Sequence, residues 1–132
     1  MESREVFVMY VYYNPNPAML LVEDCVIRAV SKALEIPWEK AYMGLSLKGL
    51  ELYNWGNANN VWGAYLKDKG FIRESVPNTC PDCYTVRQFC DDHPRGTYVI
   101  GTGKHAVACV DGSYFDNWDS GQETVLYSYR KE

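Results

Sequence analysis

The sequence predicts an α+β fold in a single domain spanning residues 1–132, and three observations predict it. Helical periodicity fills the first half of the chain, β-compatible runs fill its last third, and an Asp-Gly pair folds two of those runs into a hairpin. Taking the elements in order, the segment Cys25 to Leu34 carries apolar residues at 26, 27, 30, 33 and 34, the spacing of one helix face, and Asp24 stands where an N-cap belongs. Trp38 to Tyr53 repeats the pattern at 38, 41, 42, 45, 47, 50 and 52, after an Ile36-Pro37 entry suited to a helix start. Asn57 to Asn60 open a third segment, Val61 to Lys69, which Gly70 stops. Phe71 to Val76 reads as extended, and Thr85 caps a short helix through Cys90 that Pro94-Arg95-Gly96 breaks. Strands follow near Thr97–Gly101, His105–Val110, Ser113–Trp118 and Val125–Tyr129, giving helices packed on a C-terminal antiparallel sheet. Repeats, low-complexity runs and linkers that would mark a second domain are absent from the sequence.

The hairpin carries the chemistry. An Asp111-Gly112 loop favours a primed turn, which sets Val110 opposite Ser113 and so fixes the register. Val107 then faces Asp116, His105 faces Trp118, and alternation puts all four side chains on one side with Asp116 diagonal to His105. A carboxylate beside an imidazole, with an indole shielding the pair, is how a general base is oriented. The matching nucleophile is Cys25, whose place at a helix start exposes it to free backbone N–H groups and the positive end of the dipole. Asp24 acts in the opposite sense, so sequence does not give the sign of the net effect on the thiol. Packing is the competing role for Cys25, because cysteine is among the most buried residue types.

A cysteine opening a helix, followed far downstream by His on one strand and Asn or Asp on the next, resembles the papain-like cysteine peptidase superfamily. The His-Ala-Val strand of that superfamily appears here as His105-Ala106-Val107, and its Asn-Ser-Trp element as Asp116-Asn117-Trp118, with Asp in place of Asn as in the bacteriocin-leader peptidases. Asp-Cys-Val-Ile-Arg-Ala at 24–29, Gly-Thr-Tyr at 96–98 and Asp-Asn-Trp-Asp-Ser at 116–120 also look like a family of small uncharacterised bacterial and phage proteins described only as papain-like. The resemblance runs in order through most of the chain, although each motif is short. It implies a papain-like fold, with the nucleophile helix set against the sheet that carries the base. It also implies a thioester mechanism on a peptide or isopeptide bond, with catalytic Cys25, His105 and Asp116. One part of the pattern is missing: the glutamine that donates to the oxyanion in those enzymes is here Met19. Asn16, with Asn14 behind it, is the candidate replacement, assisted by the backbone N–H of Cys25. Turn building with Pro15 and Pro17 is the alternative role for both asparagines.

Composition bounds the function. A chain of 132 residues with 47% hydrophobic content, 11 Tyr and 4 Trp has the material for a folded core. A net charge of −4 with no long basic run gives no footprint for nucleic acid. The apolar runs near Val6–Tyr13 and Ala18–Val22 are too short to span a membrane. Met1-Glu2-Ser3-Arg4-Glu5 lacks the basic region and apolar core of an export signal, so a cytosolic setting is the expectation.

In that setting the five cysteines are expected free, metal-bound or catalytic rather than disulfide-bonded. Cys80, Cys83, Cys90 and His93 form a CxxC with a third and fourth donor, a spacing that admits zinc only if the helix begins after Cys83. Packing of half-buried thiols is the preferred reading, so no metal or cofactor is expected; Cys109 is assigned to the core. The other histidine, His93, sits among charged and turn residues, which leaves His105 as the base. Asp119 is the rival to Asp116 if a bulge follows Asn117. Two alternatives to a peptidase remain: acyl transfer to an amine, as in transglutaminase-like relatives, and a non-catalytic protein interaction module, with or without a stabilising zinc.

Overall fold

A computed structural model describes residues 9–132. Four helices pack on one six-stranded sheet. In chain order these are β1 (Met9–Tyr12), α1 (Cys25–Leu34), α2 (Trp38–Leu52), α3 (Asn59–Asp68), β2 (Phe71–Ser75), α4 (Val86–Asp92), β3 (Thr97–Gly101), β4 (Ala106–Val110), β5 (Ser113–Asp116) and β6 (Tyr127–Lys131). The strands lie in the order β1-β5-β4-β3-β6-β2. The α+β expectation stands, with one correction: the sheet is mixed, because β1 pairs parallel with β5, from Met9 opposite Ser113 to Tyr12 opposite Asp116. Its partner lies about a hundred residues away, so no hairpin signal announces the strand. Residues 6–8 of the Val6–Tyr13 run, like the N-terminal segment read for an export signal, lie outside the described residues. Among the described residues no helix is long and apolar enough to cross a membrane.

The sheet separates two cores. On one side α1, α2 and α3 bury Val30, Leu45, Trp62 and Leu66 against Val99, Ala106, Ala108 and Tyr129. On the other, Val86, Phe89 and Cys90 of α4 pack on Ile100, Val107, Cys109 and Tyr114. Strand alternation therefore shows in both clusters, since 106 and 108 face one way and 107 and 109 the other. Each large aliphatic group taken fully from water contributes about 1.5–3 kcal/mol, so α1 is held on β4 mainly by Val26, Ala29, Val30 and Ala33 rather than by its few surface charges.

The hairpin register agrees with the turn chemistry: Val110 pairs Ser113, Cys109 pairs Tyr114 and Ala108 pairs Phe115. Asp111 and Gly112 both have positive φ, 49° and 84°, as a type I′ turn requires. The strands stop short of the expected limits, however, with His105 just before β4 and β5 ending at Asp116. At that end the Asp116 carbonyl is bonded to the β1 side of the sheet, accepting from the Tyr13 N–H at 2.8 Å and the Tyr10 hydroxyl at 3.1 Å. The last strand is also shifted, to Tyr127–Lys131 rather than Val125–Tyr129. Val125 is drawn into the α4 side, where its N–H donates to the Tyr84 carbonyl at 2.8 Å. The strand runs on through Arg130 because β6 is paired on both edges, by β3 and by β2.

Candidate active site

The site forms where α1 begins and β4 begins. Packing of α1 on β4 sets Cys25, the first residue of the helix, beside His105, the residue preceding the strand. The backbone of His105 is fixed by Thr102, whose N–H and hydroxyl reach the His105 carbonyl at 3.0 and 3.3 Å. His105 Nε2 lies 2.6 Å from Asp116 Oδ2, which leaves Nδ1 as the ring nitrogen available to the neighbouring Cys25 thiol. The Trp118 ring sits 5.0 Å from the imidazole, centroid to centroid. All three sequence-predicted residues are thus brought together.

Asp116 is fully buried and completely engaged. Besides His105, Ser120 Oγ donates to Oδ2 at 2.6 Å, while Arg28 Nη2 at 2.7 Å and the Asn117 N–H at 2.9 Å donate to Oδ1. Asp119 goes elsewhere, accepting from the Tyr114 hydroxyl and the Gly121 N–H. Of the two aspartates, Asp116 is the one bonded to the imidazole.

The electrostatics favour three charges. Burial pushes the Cys25 thiol up, but the His105 hydrogen bond and charge, the Ala106 N–H and the Arg28 guanidinium outweigh it and hold the thiol below its ordinary pKa. Burial pushes His105 down, yet hydrogen bonds to Asp116 and Cys25 raise it to about 9. Burial would raise Asp116 as well, and the hydrogen bonds from His105 and Ser120, with the charges of His105 and Arg28, lower it. Thiolate, imidazolium and carboxylate are mutually supporting states.

A cleft of about 640 Å³ opens over this group, walled by Cys25 to Ile27, Tyr42 and Leu45 of α2, the Trp55–Asn57 loop, and Lys104 with His105. Asn16 does not line it. The Asn16 side-chain oxygen accepts from the Ala18 N–H at 2.9 Å, and that of Asn14 accepts from the Asn16 N–H at 3.3 Å, so both build turns around Pro15 and Pro17. The oxyanion assignment to Asn16 is corrected accordingly. Asp24 occupies the N-cap position without a capping bond, because its carboxylate turns to Arg28 and Trp38. The first amides of α1, that of Cys25 included, are left uncapped at the cleft wall.

The zinc set is not assembled either. Cys80 and Cys83 are joined in a disulfide, against the expectation of unbridged cysteines. Cys90 is buried against Cys109, and His93 stacks on Phe89 with ring centroids 3.8 Å apart. Among the described residues no group of three or more His, Cys, Asp or Glu side chains is placed to hold a metal ion. Cys109 is a core residue, as expected. The residues that sequence reasoning missed are Arg28 and Ser120. A signal existed for Arg28, which stands four residues after Asp24, the spacing of a helical ion pair.

Comparison with protein-family models, with curated proteins and with solved structures finds no match for this chain.

Proposed function

We propose that this chain is a cysteine hydrolase of amide bonds, acting on a peptide or isopeptide through a thioester on Cys25. One observation carries this reading: the hydrogen-bonded series Cys25, His105, Asp116, set on the wall of an open cleft with the thiol pKa lowered and the imidazole pKa raised. The short motifs shared with papain-like peptidases add support from sequence.

The chemistry follows from the charges. The Cys25 thiolate attacks the scissile carbonyl carbon, forming the C–S bond and moving the π electrons onto oxygen. That oxyanion develops beside the uncapped N–H of Cys25, where the helix start favours negative charge. The His105 imidazolium gives its proton to the leaving nitrogen as the C–N bond breaks, leaving a thioester and a neutral imidazole. His105 next takes a proton from water, the hydroxide adds to the thioester, and collapse expels the thiolate and frees the acid. Asp116 holds the imidazole by Nε2 throughout and stabilises its cationic form. Trp118 and the buried carboxylate keep bulk water from the base.

The test is covalent capture. A peptidyl electrophile should label the wild type on Cys25, and Cys25→Ala and His105→Ala should abolish the labelling. Labelling that survives Cys25→Ala, or that spreads over several cysteines, would remove the proposal.

A further inference from the structure

Arg28 lies one turn beyond Cys25 on α1 and is 3% exposed. A guanidinium loses most of its hydration at such a site, and close carboxylates must compensate it. Two do so. Nη1 donates to Asp24 Oδ1, and Nη2 donates to Asp116 Oδ1 at 2.7 Å. Asp24 is held in turn by the Trp38 indole N–H at 2.8 Å, and Asp116 Oδ2 is left for His105 and Ser120, each at 2.6 Å. The result is a closed ring running from Cys25 through His105, Asp116, Arg28 and Asp24, and back to Cys25 by one peptide bond.

Building on the hydrolase reading of this site, we propose that Arg28 is a positioning residue: its two-ended guanidinium locks the Asp116 carboxylate toward His105 and ties the nucleophile helix to the strand end that bears the acid. A carboxylate at a strand end is free to rotate its two oxygens between partners, and occupying Oδ1 with a charged planar donor removes that freedom. Among the described residues Arg28 hydrogen-bonds Asp24 and Asp116, so beyond the direct pull of its charge on the thiol its effect passes through the acid and the base. The other charged or titratable groups around the triad are Glu23, Lys104 and Tyr42 of α2 on the cleft wall, Tyr10 of β1 on the Asp116 carbonyl, and Asp119 beyond β5. None of these five completes the ring.

The experiment measures the rate of Cys25 alkylation by iodoacetamide against pH, together with the imidazole titration of His105 by NMR. His93, hydrogen-bonded to the Phe89 carbonyl at 2.6 Å, serves as the internal reference. Arg28→Lys keeps the charge and loses the fork. The alkylation midpoint should rise by about one pH unit and the His105 titration should fall as Asp116 loosens, with His93 unmoved. Both values staying at their wild-type positions in the folded variant would overturn the proposal. Asp24→Ala, which removes the anchor on the far side of Arg28, is the second variant should Arg28→Lys fail to fold. Loss of a neighbouring negative charge alone would lower the Cys25 midpoint, so a rise supports positioning and a fall overturns it. A wild type whose Cys25 titrates like an ordinary thiol sinks the hydrolase reading itself, an outcome distinct from a normal wild type with unshifted variants.

Discussion

Strand β4 touches two cysteine neighbourhoods, and they have opposite chemistry. At its start, Cys25 of α1 meets His105 and opens on a cleft; near its end, Cys109 meets Cys90 of α4 inside an apolar core. Histidine stands near both. His105 is clamped between a carboxylate and a thiol, whereas His93 lies flat on Phe89 with its Nδ1 on a backbone carbonyl. The Cys25 thiol is lowered by the cation facing it, while that of Cys90 is raised by its hydrogen bond with the free Cys109 thiol and by burial. Thiol reactivity is a property of the charges in reach, and burial without a cation makes a cysteine inert.

The largest expected effect tests that contrast directly. Near neutral pH, iodoacetamide should modify Cys25 at least about 100-fold faster than Cys90 or Cys109 in the folded protein. His105→Ala should remove most of that advantage and leave the two core thiols unchanged; mass mapping of the labelled peptides reads both. Equal rates at all three sites would erase the difference between the two ends of β4.

Next in size is the choice of acid. Asp116→Asn takes a charge from the imidazole and should slow Cys25 alkylation about tenfold near neutral pH. Asp119→Asn, which touches Tyr114 and Gly121 instead, should leave the rate within about twofold. The reverse ranking in a rate comparison of the two variants would move the third position to Asp119.

Stability against pH sharpens the same point. The folded pKa of His105 is raised from 6.5 to about 9, so its contribution is full below 6.5 and is lost as pH rises through about 9. The folded pKa of Cys25 is lowered from 9.0, so its contribution is full above 9.0 and is lost as pH falls through the folded value. Above 6.5, in the interval between the lowered folded value of Cys25 and 9.0, the folded ion pair and the unfolded chain each carry one proton on these two groups, and the opposing slopes cancel. Denaturant unfolding of the wild type should therefore show little change from this pair across that interval. Cys25→Ser removes one side of the balance, and relative to wild type it should lose on the order of 1–2 kcal/mol over the same range. Parallel curves for the two proteins would argue against an ion pair.

The smallest effect lies at the other end of the strand. Thr85 and Gln88 form a reciprocal cap on α4, and Thr85→Ala should cost about 1 kcal/mol of stability. The rate of Cys25 alkylation should not change, because α4 packs on the opposite face of the sheet. A matching loss of reactivity would couple two regions described here as separate.

Much of this was legible in the chain because its signals are local. Asp111-Gly112 fixes the hairpin register by turn chemistry alone, the apolar spacing from Val26 to Leu34 announces α1, and Thr85 with Gln88 marks α4. Non-local features were hidden. The parallel pairing of Met9–Tyr12 has no turn to declare it, and its continuation at Tyr13 takes the Asp116 carbonyl. Asp24 reads as a cap, but the buried Arg28 and Trp38 compete for its carboxylate and win. Asn16 shares its stretch with Pro15 and Pro17, and turn hydrogen bonds claim its oxygen. The cysteines past residue 79 carry donor spacing without donor geometry, which only the folded positions of Cys80, Cys83 and Cys90 reveal.

Central to the account is the state of one sulfur. Thiolate absorbs in the ultraviolet where thiol does not, so the difference in absorbance between wild type and Cys25→Ser, followed across pH, reports the ionisation of Cys25 alone. The account predicts a thiolate that forms at a pH below the ordinary value for cysteine and disappears on acidification. A difference signal that emerges only near 9.0, the ordinary value for cysteine, would contradict it.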